Sequence, residues 1–267
     1  LPQNKHYWYN FFSDNCATRI RDIVIKATNG TIQWPAEPTE HLTYRQLIMP
    51  YIGLNKWAKT GILLMLASGA DKEASQQEYM FLPDHMHQLF AQAKLADGTP
   101  LCQPEKILNN PEYPKPIGTG IIHPYLIFSL LMLFSWFMVL YPKMPARATK
   151  SFFSFLFLAS GALGFVFCYM WFFSAHQVCH ANLNIAWAFP LNFFLAVTLW
   201  IPKIKNINRL YCKIALITAL LFLITFPIWK QSVPVEAILL CLTLIPGLLR
   251  FSGFRKRHKG SAAYTAH

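Results

Sequence analysis

The apolar residues of this 267-residue chain follow two different patterns. Up to about residue 115 they recur every three or four positions in short runs, which is typical of amphipathic helices. Beyond residue 120 they form five nearly continuous runs, each close to the ~17–25 residues that a spanning helix needs. We therefore predict five spanning helices, at about 121–141, 152–173, 185–201, 214–229 and 234–250.

Polar residues mark where the shorter helices should begin. A helix should start at or just before Cys16, because Cys16, Ile20 and Ile23 share one apolar face at helical spacing, and this face should turn the thiol inward. The residues that can cap this helix are Ser13, Asp14 and Asn15, and Gly30 can end it. Further helices are predicted over residues 55–67 and after Thr43, Ser75 and Pro83, and the prolines of residues 99–120 predict a linker.

The charge distribution changes what the basic composition means. Residues 1–116 hold 11 Lys/Arg and 11 Asp/Glu, whereas residues 117–267 hold 13 Lys/Arg and only Glu236, so the net charge of +12 lies among the apolar runs. A nucleic-acid-binding protein would need a basic face on a folded domain, and this pattern argues against one. Twelve of the 13 cations fall on alternate loops, and the positive-inside rule places these in the cytoplasm. Residues 1–115 and the loop 174–184 should then lie outside.

Cys16 is the first candidate for chemistry. A thiol in the first turn of a helix lies near unpaired N–H groups and the positive end of the helix dipole, which favour the thiolate, and Arg19 adds positive charge one turn on. A small buried structural cysteine is the alternative, and spacing alone leaves the two evenly balanced.

The loop 174–184 is the second candidate, since it gathers two histidines, one thiol and two asparagines. These residues are His176, Cys179, His180, Asn182 and Asn184. Three interpretations are open. The loop could be a solvated connector, or it could complete a site at the membrane face through His176 or Asn184. In the third interpretation His176, Cys179 and His180 bind a metal. The metal interpretation is weakest because no fourth ligand stands out. Glycine-rich nucleotide motifs are absent from the sequence, so we predict neither metal nor cofactor.

Residues 14–22 resemble the Asn-Cys signature of the Lnb family of bacterial lipoprotein N-acyltransferases. Three later segments resemble this family in the same order, namely residues 43–47, residues 81–84, and His176 with residues 182–184. Lnb proteins are similar to papain-like cysteine hydrolases and acyltransferases, a group that includes NlpC/P60 and lecithin:retinol acyltransferase-like proteins.

The resemblance implies a mainly α-helical protein. Residues 1–115 would be the C-terminal part of a papain-like extracytoplasmic domain, and residues 116–260 a five-helix transmembrane bundle. We expect the chain to be the C-terminal portion of a longer protein, so that the first domain is incomplete at its N-terminus. The protein would lie in the bacterial inner membrane, with residues 1–115 in the periplasm and the tail in the cytoplasm.

The resemblance also implies an activity. A fatty acyl group of a membrane phospholipid would pass through a thioester on Cys16 to the N-terminal amine of a lipoprotein. We assign catalytic roles to Cys16, His176 and Asn184. The residues assigned to substrate binding are Asn15, Arg19 and Asn182. Two alternatives remain, namely a membrane-anchored cysteine peptidase or amidase of the cell envelope, and a non-catalytic scaffold in which Cys16 is structural.

Overall fold

The computed structural model describes residues 8–37, 40–52, 55–104, 106 and 122–254, and it divides into two compact units. The first unit consists of Leu1–Ile121, Tyr169–Asn182 and Lys230–Ser232, and the second of Ile122–Cys168, Leu183–Trp229 and Val233–His267. Both are mainly α-helical, as predicted. The predicted linker 99–120 lies mostly outside the described residues.

Five α-helices lie in the described part of residues 1–121 of the first unit, and the polar signals in the sequence mark their starts well. They are α1 Cys16–Ala27, α2 Tyr44–Ile52, α3 Lys56–Met65, α4 Gln76–Tyr79 and α5 Pro83–Gln92. Asn15 caps α1, Ser75 and Glu78 form the predicted capping box of α4, and Pro83 opens α5. Within the described residues, β-type pairing is limited to four isolated bridges.

The prediction that the Cys16 face of α1 turns inward is wrong. Cys16 is exposed, and Ile20 and Ile23 are 50% and 68% exposed, whereas Ala17 and Thr18 are buried. The hydrogen bonds of the residue before Cys16 set the rotation of α1, and they place the small side chains of its first turn against the core. Apolar spacing identified a stripe correctly but could not say which side the rest of the unit covers.

The core of the first unit is aromatic and draws on distant segments. Phe12 and Phe81 pack with ring centroids 5.2 Å apart, and Tyr44 lies 5.6 Å from Phe12 and 5.9 Å from Phe81. Leu47 of α2 and Cys179 of the 174–182 segment are buried in the same cluster. These contacts bind the segment before α1, helix α2 and the 174–182 segment into one body.

Apolar helices of unequal length build the second unit. They are α6 Pro124–Leu140, α7 Ala146–Phe172, whose last turn belongs to the first unit, α8 Leu191–Thr198, α9 Lys205–Thr225 and α10 Val235–Ser252. Among the described residues, four stretches are long and apolar enough to cross a membrane, and α6 is a shorter apolar helix. Helix α10 packs against α6 and α9. At Gly247 of α10 a Cβ atom would come within 2.2 Å of the Phe153 ring of α7, so these helices also approach closely.

The third predicted span, residues 185–201, is not one continuous helix. The stretch Gln177–Thr198 has the length and hydropathy of a span, but it consists of 3-10 turns at Gln177–Cys179 and Leu183–Ala186 followed by the eight-residue α8. Pro190 is the N-cap of α8, and a proline there prevents the helix from continuing upstream.

Candidate functional site

The turn before α1 places Cys16 at the start of the helix. Asn15 Oδ1 accepts a hydrogen bond from the Thr18 N–H (2.9 Å), and the Thr18 hydroxyl accepts one from the Asn15 N–H (2.8 Å). The N–H groups of Cys16 and Ala17 make no hydrogen bond to a described residue. An exposed thiol and two available N–H groups therefore lie together at the positive end of a helix.

Asn15 also fixes α1 to the core of the first unit. It is 6% exposed, and its Nδ2 donates to the carbonyl oxygens of Phe11 and Phe81, at 2.8 Å each. Both the oxygen and the nitrogen of its amide are thus hydrogen-bonded within the protein. Because Asn15 directly precedes Cys16, these bonds position Cys16. Its predicted contact with substrate stays a prediction.

Arg19 lies beside Cys16 and forms an ion pair with Asp14. The pair is bidentate, with Nε on Oδ1 and Nη2 on Oδ2, the second contact at 2.7 Å. Because the charges of the pair cancel, Arg19 contributes less positive field to Cys16 than its sequence position suggested. Its role in substrate binding is not tested by these contacts.

The 174–182 segment is fixed to the first unit at several points. Asn10, in the turn before α1, donates from Nδ2 to the Ala175 carbonyl (2.8 Å), and the Ala67 N–H donates to the Val178 carbonyl (2.8 Å). Gly69 permits this approach, since a Cβ there would lie 3.0 Å from the Val178 Cα atom. The structure therefore brings the segment carrying His176 to the turn that leads into Cys16.

Asn182 closes this segment against the end of α3. Its Nδ2 donates to the Leu64 and Met65 carbonyl oxygens (2.8 and 3.0 Å), and its Oδ1 accepts from Gln231 Nε2 (3.1 Å). At 1% exposure Asn182 is a structural clamp in this structure, and its assignment to substrate binding remains untested.

An apolar cavity of about 540 Å³ lies between these elements. Its walls come from the turn before α1, from α2, α3 and Leu82, and from the 174–182 segment, and nearly all of its lining is apolar. Among the lining residues are Phe11, Ile48, Met65, Val178 and His176. The volume falls within the range of small-molecule sites, and the half-buried His176 is one of the few polar groups on its wall.

Tyr51 adds a second polar group to the cavity wall. Its hydroxyl donates to Asp84 Oδ2 (2.9 Å), and burial together with this hydrogen bond and the Asp84 charge raises the pKa of Tyr51. Tyr51 therefore remains a protonated donor at neutral pH. Asp84 belongs to one of the segments that prompted the family resemblance, and its contact with Tyr51 gives that segment a physical role.

The remaining candidates of the 174–184 loop are placed differently. Cys179 is buried and lines the cavity, and His180 Nε2 donates to the Ser174 carbonyl (3.0 Å). Asn184 belongs to the second unit, is fully buried, and accepts from Trp187 Nε1 (3.1 Å). No hydrogen bond among the described residues joins Cys16 to His176. Nowhere among the described residues are three His, Cys, Asp or Glu side chains grouped as a metal site requires.

Sequence reasoning missed a buried ion pair that supports the cavity. Arg45 donates to Asp71 from Nε (2.7 Å) and Nη2 (2.9 Å), and Nη2 also approaches the Leu66 carbonyl (3.3 Å). Asp71 Oδ2 accepts from the Ser232 N–H as well (3.0 Å). The one sequence feature that pointed to this pair was the position of Arg45 within residues 43–47, which resemble the Lnb family. No sequence feature pointed to Asp71 or Ser232.

Two family models match the chain, and they do so in chain order. The model of the Lnb N-terminal periplasmic domain matches residues 1–49, and the model of the Lnb transmembrane domain matches residues 117–252, about half of the chain. The first match includes Cys16 and the turn before it, and the second includes α6 to α10. No curated protein and no solved structure matches the chain.

Proposed function

Because the chain belongs to the Lnb family, we propose that it is a cysteine acyltransferase of the bacterial inner membrane. It is a multi-pass membrane protein with a periplasmic N-terminal domain, a location in which the lipids of the outer leaflet are within reach. In this proposal Cys16 takes a fatty acyl group from a membrane phospholipid and passes it to the N-terminal amine of a lipoprotein. The first unit would belong to a papain-like domain.

The single observation that carries the proposal is the apolar cavity in the first unit. It has room for a hydrocarbon chain, its lining is nearly free of polar groups, and His176 lies on its wall. A peptide substrate would need many more hydrogen-bonding groups along such a wall. The cavity therefore favours an acyl chain over a cell-wall peptide as the group held there.

The proposed reaction has two steps. Cys16 Sγ attacks the ester carbonyl carbon, the bond from that carbon to the glycerol oxygen breaks, and His176 carries the thiol proton to the departing oxygen, which releases a lysophospholipid. The lipoprotein amine then attacks the thioester carbon, the carbon–sulfur bond breaks, and a proton from the amine returns to sulfur. In both steps the Cys16 and Ala17 N–H groups would hold the oxyanion.

Two exposed thiols allow a matched test in the full-length protein. Cys16→Ser should reduce N-acylation of a lipoprotein to background, whereas Cys102→Ser should leave it unchanged, as measured by mass spectrometry of the N-terminal lipopeptide. Activity retained in Cys16→Ser would exclude the thioester. Release of free fatty acid without an N-acylated product would show that water, and not a lipoprotein amine, accepts the acyl group.

The loop can be tested in the same assay. His176→Ala should lower the rate by about 10²–10⁴-fold if His176 moves the proton, and His41→Ala, at an exposed histidine outside the cavity lining, should not. We keep Asn184 as the second candidate and expect Asn184→Ala to lower the rate too. Wild-type activity in both His176→Ala and Asn184→Ala would reduce the loop to a connector.

A further inference from the structure

A second cavity, of about 610 Å³, lies in the second unit where α7 and α9 begin and α10 ends. Four cations line it, one from α7, two from α9 and one from α10. They are Lys150, Lys205, Arg209 and Arg250. The other lining groups are polar, such as Thr149 and Asn208, or apolar, such as Leu199 and Phe251.

The second unit offers these cations no nearby acid. Glu236 is the one acidic residue between positions 117 and 267, and it lies in the first turn of α10. Arg250 lies in the last turn of the same helix, 14 residues later, so about 21 Å of helix separates the two. A concentration of positive charge that the surrounding unit does not neutralise favours an anion as ligand.

The side chains around this cavity are held in place. Lys150 Nζ lies 4.4 Å above the centre of the Trp200 ring, a cation–π contact. Gly253 has φ +81°, and a Cβ there would come within 3.4 Å of Arg209 Nε, so the Arg209 side chain packs against the backbone that ends α10. The first residues of α7 and α9, Ala146 and Lys205, are also on the wall and add the positive ends of two helices.

We propose that this cavity binds the phosphate headgroup of an anionic phospholipid. The ligand is a lipid because the cations surround a phosphate-sized charge while Leu199, Ile201 and Phe251 supply apolar surface beside it, at the ends of spanning helices. Basic pockets between spanning helices suit anionic headgroups at this depth. The site is independent of the acyl transfer proposed for the first unit.

The positive-inside rule alone does not account for the cavity. It explains why cations lie on this side, and Lys143, Arg147 and Lys203 satisfy it without lining the cavity. These residues also provide the control. Lys143→Gln/Lys203→Gln removes the same charge as Lys205→Gln/Arg209→Gln but leaves the cavity intact, and all four side chains are exposed, so both variants should fold.

The test is lipid retention by the full-length protein, measured by native mass spectrometry with phosphatidylglycerol and phosphatidylcholine of identical acyl chains. Wild-type protein should retain one phosphatidylglycerol in preference. Lys205→Gln/Arg209→Gln should lower this retention about tenfold through the loss of charge-assisted hydrogen bonds, and the control pair by less than about twofold. An equal loss in both pairs would show general surface attraction and overturn the site.

A second arm separates a lipid from a soluble anion and does not depend on any variant. Phosphatidylglycerol, but not inorganic phosphate at equal concentration, should raise the thermal midpoint of the wild-type protein in detergent. If phosphate raises it equally, the cavity is a soluble-anion site and the lipid assignment is wrong. If neither ligand shifts the midpoint and phosphatidylcholine is retained equally, the cavity does not select an anionic phospholipid and the proposal is wrong.

Discussion

The side chain of Asn15 makes contacts in three directions, and these determine where Cys16 lies. Asn15 Oδ1 caps α1 by accepting from the Thr18 N–H, while Nδ2 donates to the Phe11 carbonyl in the preceding turn and to the Phe81 carbonyl in the segment between α4 and α5. An amide is the side chain that can accept and donate twice at one buried position. The sequence shows why a capping residue precedes Cys16, but the structure explains why that residue is asparagine.

A pair of substitutions at Asn15 separates capping from anchoring. Asn15→Ser keeps a capping oxygen but loses both donated bonds, and Asn15→Ala loses all three. We expect Asn15→Ser to destabilise the protein by about 1–3 kcal/mol through the unpaired carbonyls of Phe11 and Phe81. Asn15→Ala should cost about 1 kcal/mol more. Denaturant titration of the full-length protein measures both, and equal values would mean that the cap contributes nothing.

At the scale of secondary-structure elements, the helices around the apolar cavity are held together by buried polar contacts between segments far apart in sequence. Arg45 and Asp71 are nearly buried, with side chains 9% and 13% exposed, and they join α2 to the 3-10 turn Ser68–Asp71. The capping residue Thr43 and the helical run over residues 55–67 predicted α2 and α3 well, since both signals depend on local order. These signals could not predict which polar residues pair across 26 positions, because that depends on how the helices pack.

We expect Arg45→Ala to cost about 3–5 kcal/mol of unfolding free energy, because it leaves Asp71 charged and buried without its partner. Asp22→Ala, which removes the exposed acid of the Arg21–Asp22 pair, should cost about 0–1 kcal/mol. Denaturant titration in detergent measures the change in unfolding free energy of both variants. A cost for Arg45→Ala no greater than that for Asp22→Ala would contradict the view that this pair supports the cavity.

Gly61 of α3 allows the cavity to be narrowed without strain. It is on the cavity wall, and a Cβ there would meet no atom within 4 Å. Gly61→Leu should keep or raise stability, since glycine inside a helix costs about 1 kcal/mol relative to alanine, while it shortens the longest acyl chain that is transferred. Gly61→Ala is the matched control. An unchanged chain-length preference in Gly61→Leu would place the acyl chain elsewhere.

Hydropathy found the spanning elements but not their ends. Helix α9 begins at Lys205, nine residues before the predicted start of its span, because its first turns carry the polar residues that a hydropathy pattern excludes. Helix α7 begins at Ala146 for the same reason, six residues before the prediction. An apolar run marks the part of a helix that suits lipid, whereas the hydrogen-bonded helix continues beyond it.

At the scale of the whole molecule, the number of crossings depends on the interrupted third segment. Helix α8 has eight residues and spans only about 12 Å by itself. Residues 188–200 nevertheless run antiparallel to α7 along its length. A Cβ at Gly164 would come within 2.0 Å of the Ala188 carbonyl, Asn192 Nδ2 donates to Ser160 Oγ (3.2 Å), and Trp200 Nε1 donates to Ser154 Oγ (2.9 Å).

The same network explains how an irregular segment can lie inside a bundle. Asn192 is 2% exposed, donates to the Trp187 carbonyl (3.1 Å), and accepts from the Tyr211 hydroxyl of α9 (2.6 Å). Non-helical backbone is tolerated at membrane depth where protein groups satisfy it. The sequence predicted a span here from apolar content alone, and it could not show that side-chain amides take over part of the hydrogen bonding.

Because the third segment follows α7 back to its start, we expect five crossings, an odd number. Reporter fusions after residues 143, 203 and 260 should therefore all report the side opposite to a fusion after residue 115. If the third segment does not cross, the fusions after residues 203 and 260 will report the side of residue 115, while the fusion after residue 143 still reports the opposite side. The fusion after residue 203 is decisive because α8 is the last helix before it, and it separates a true crossing from a re-entrant loop.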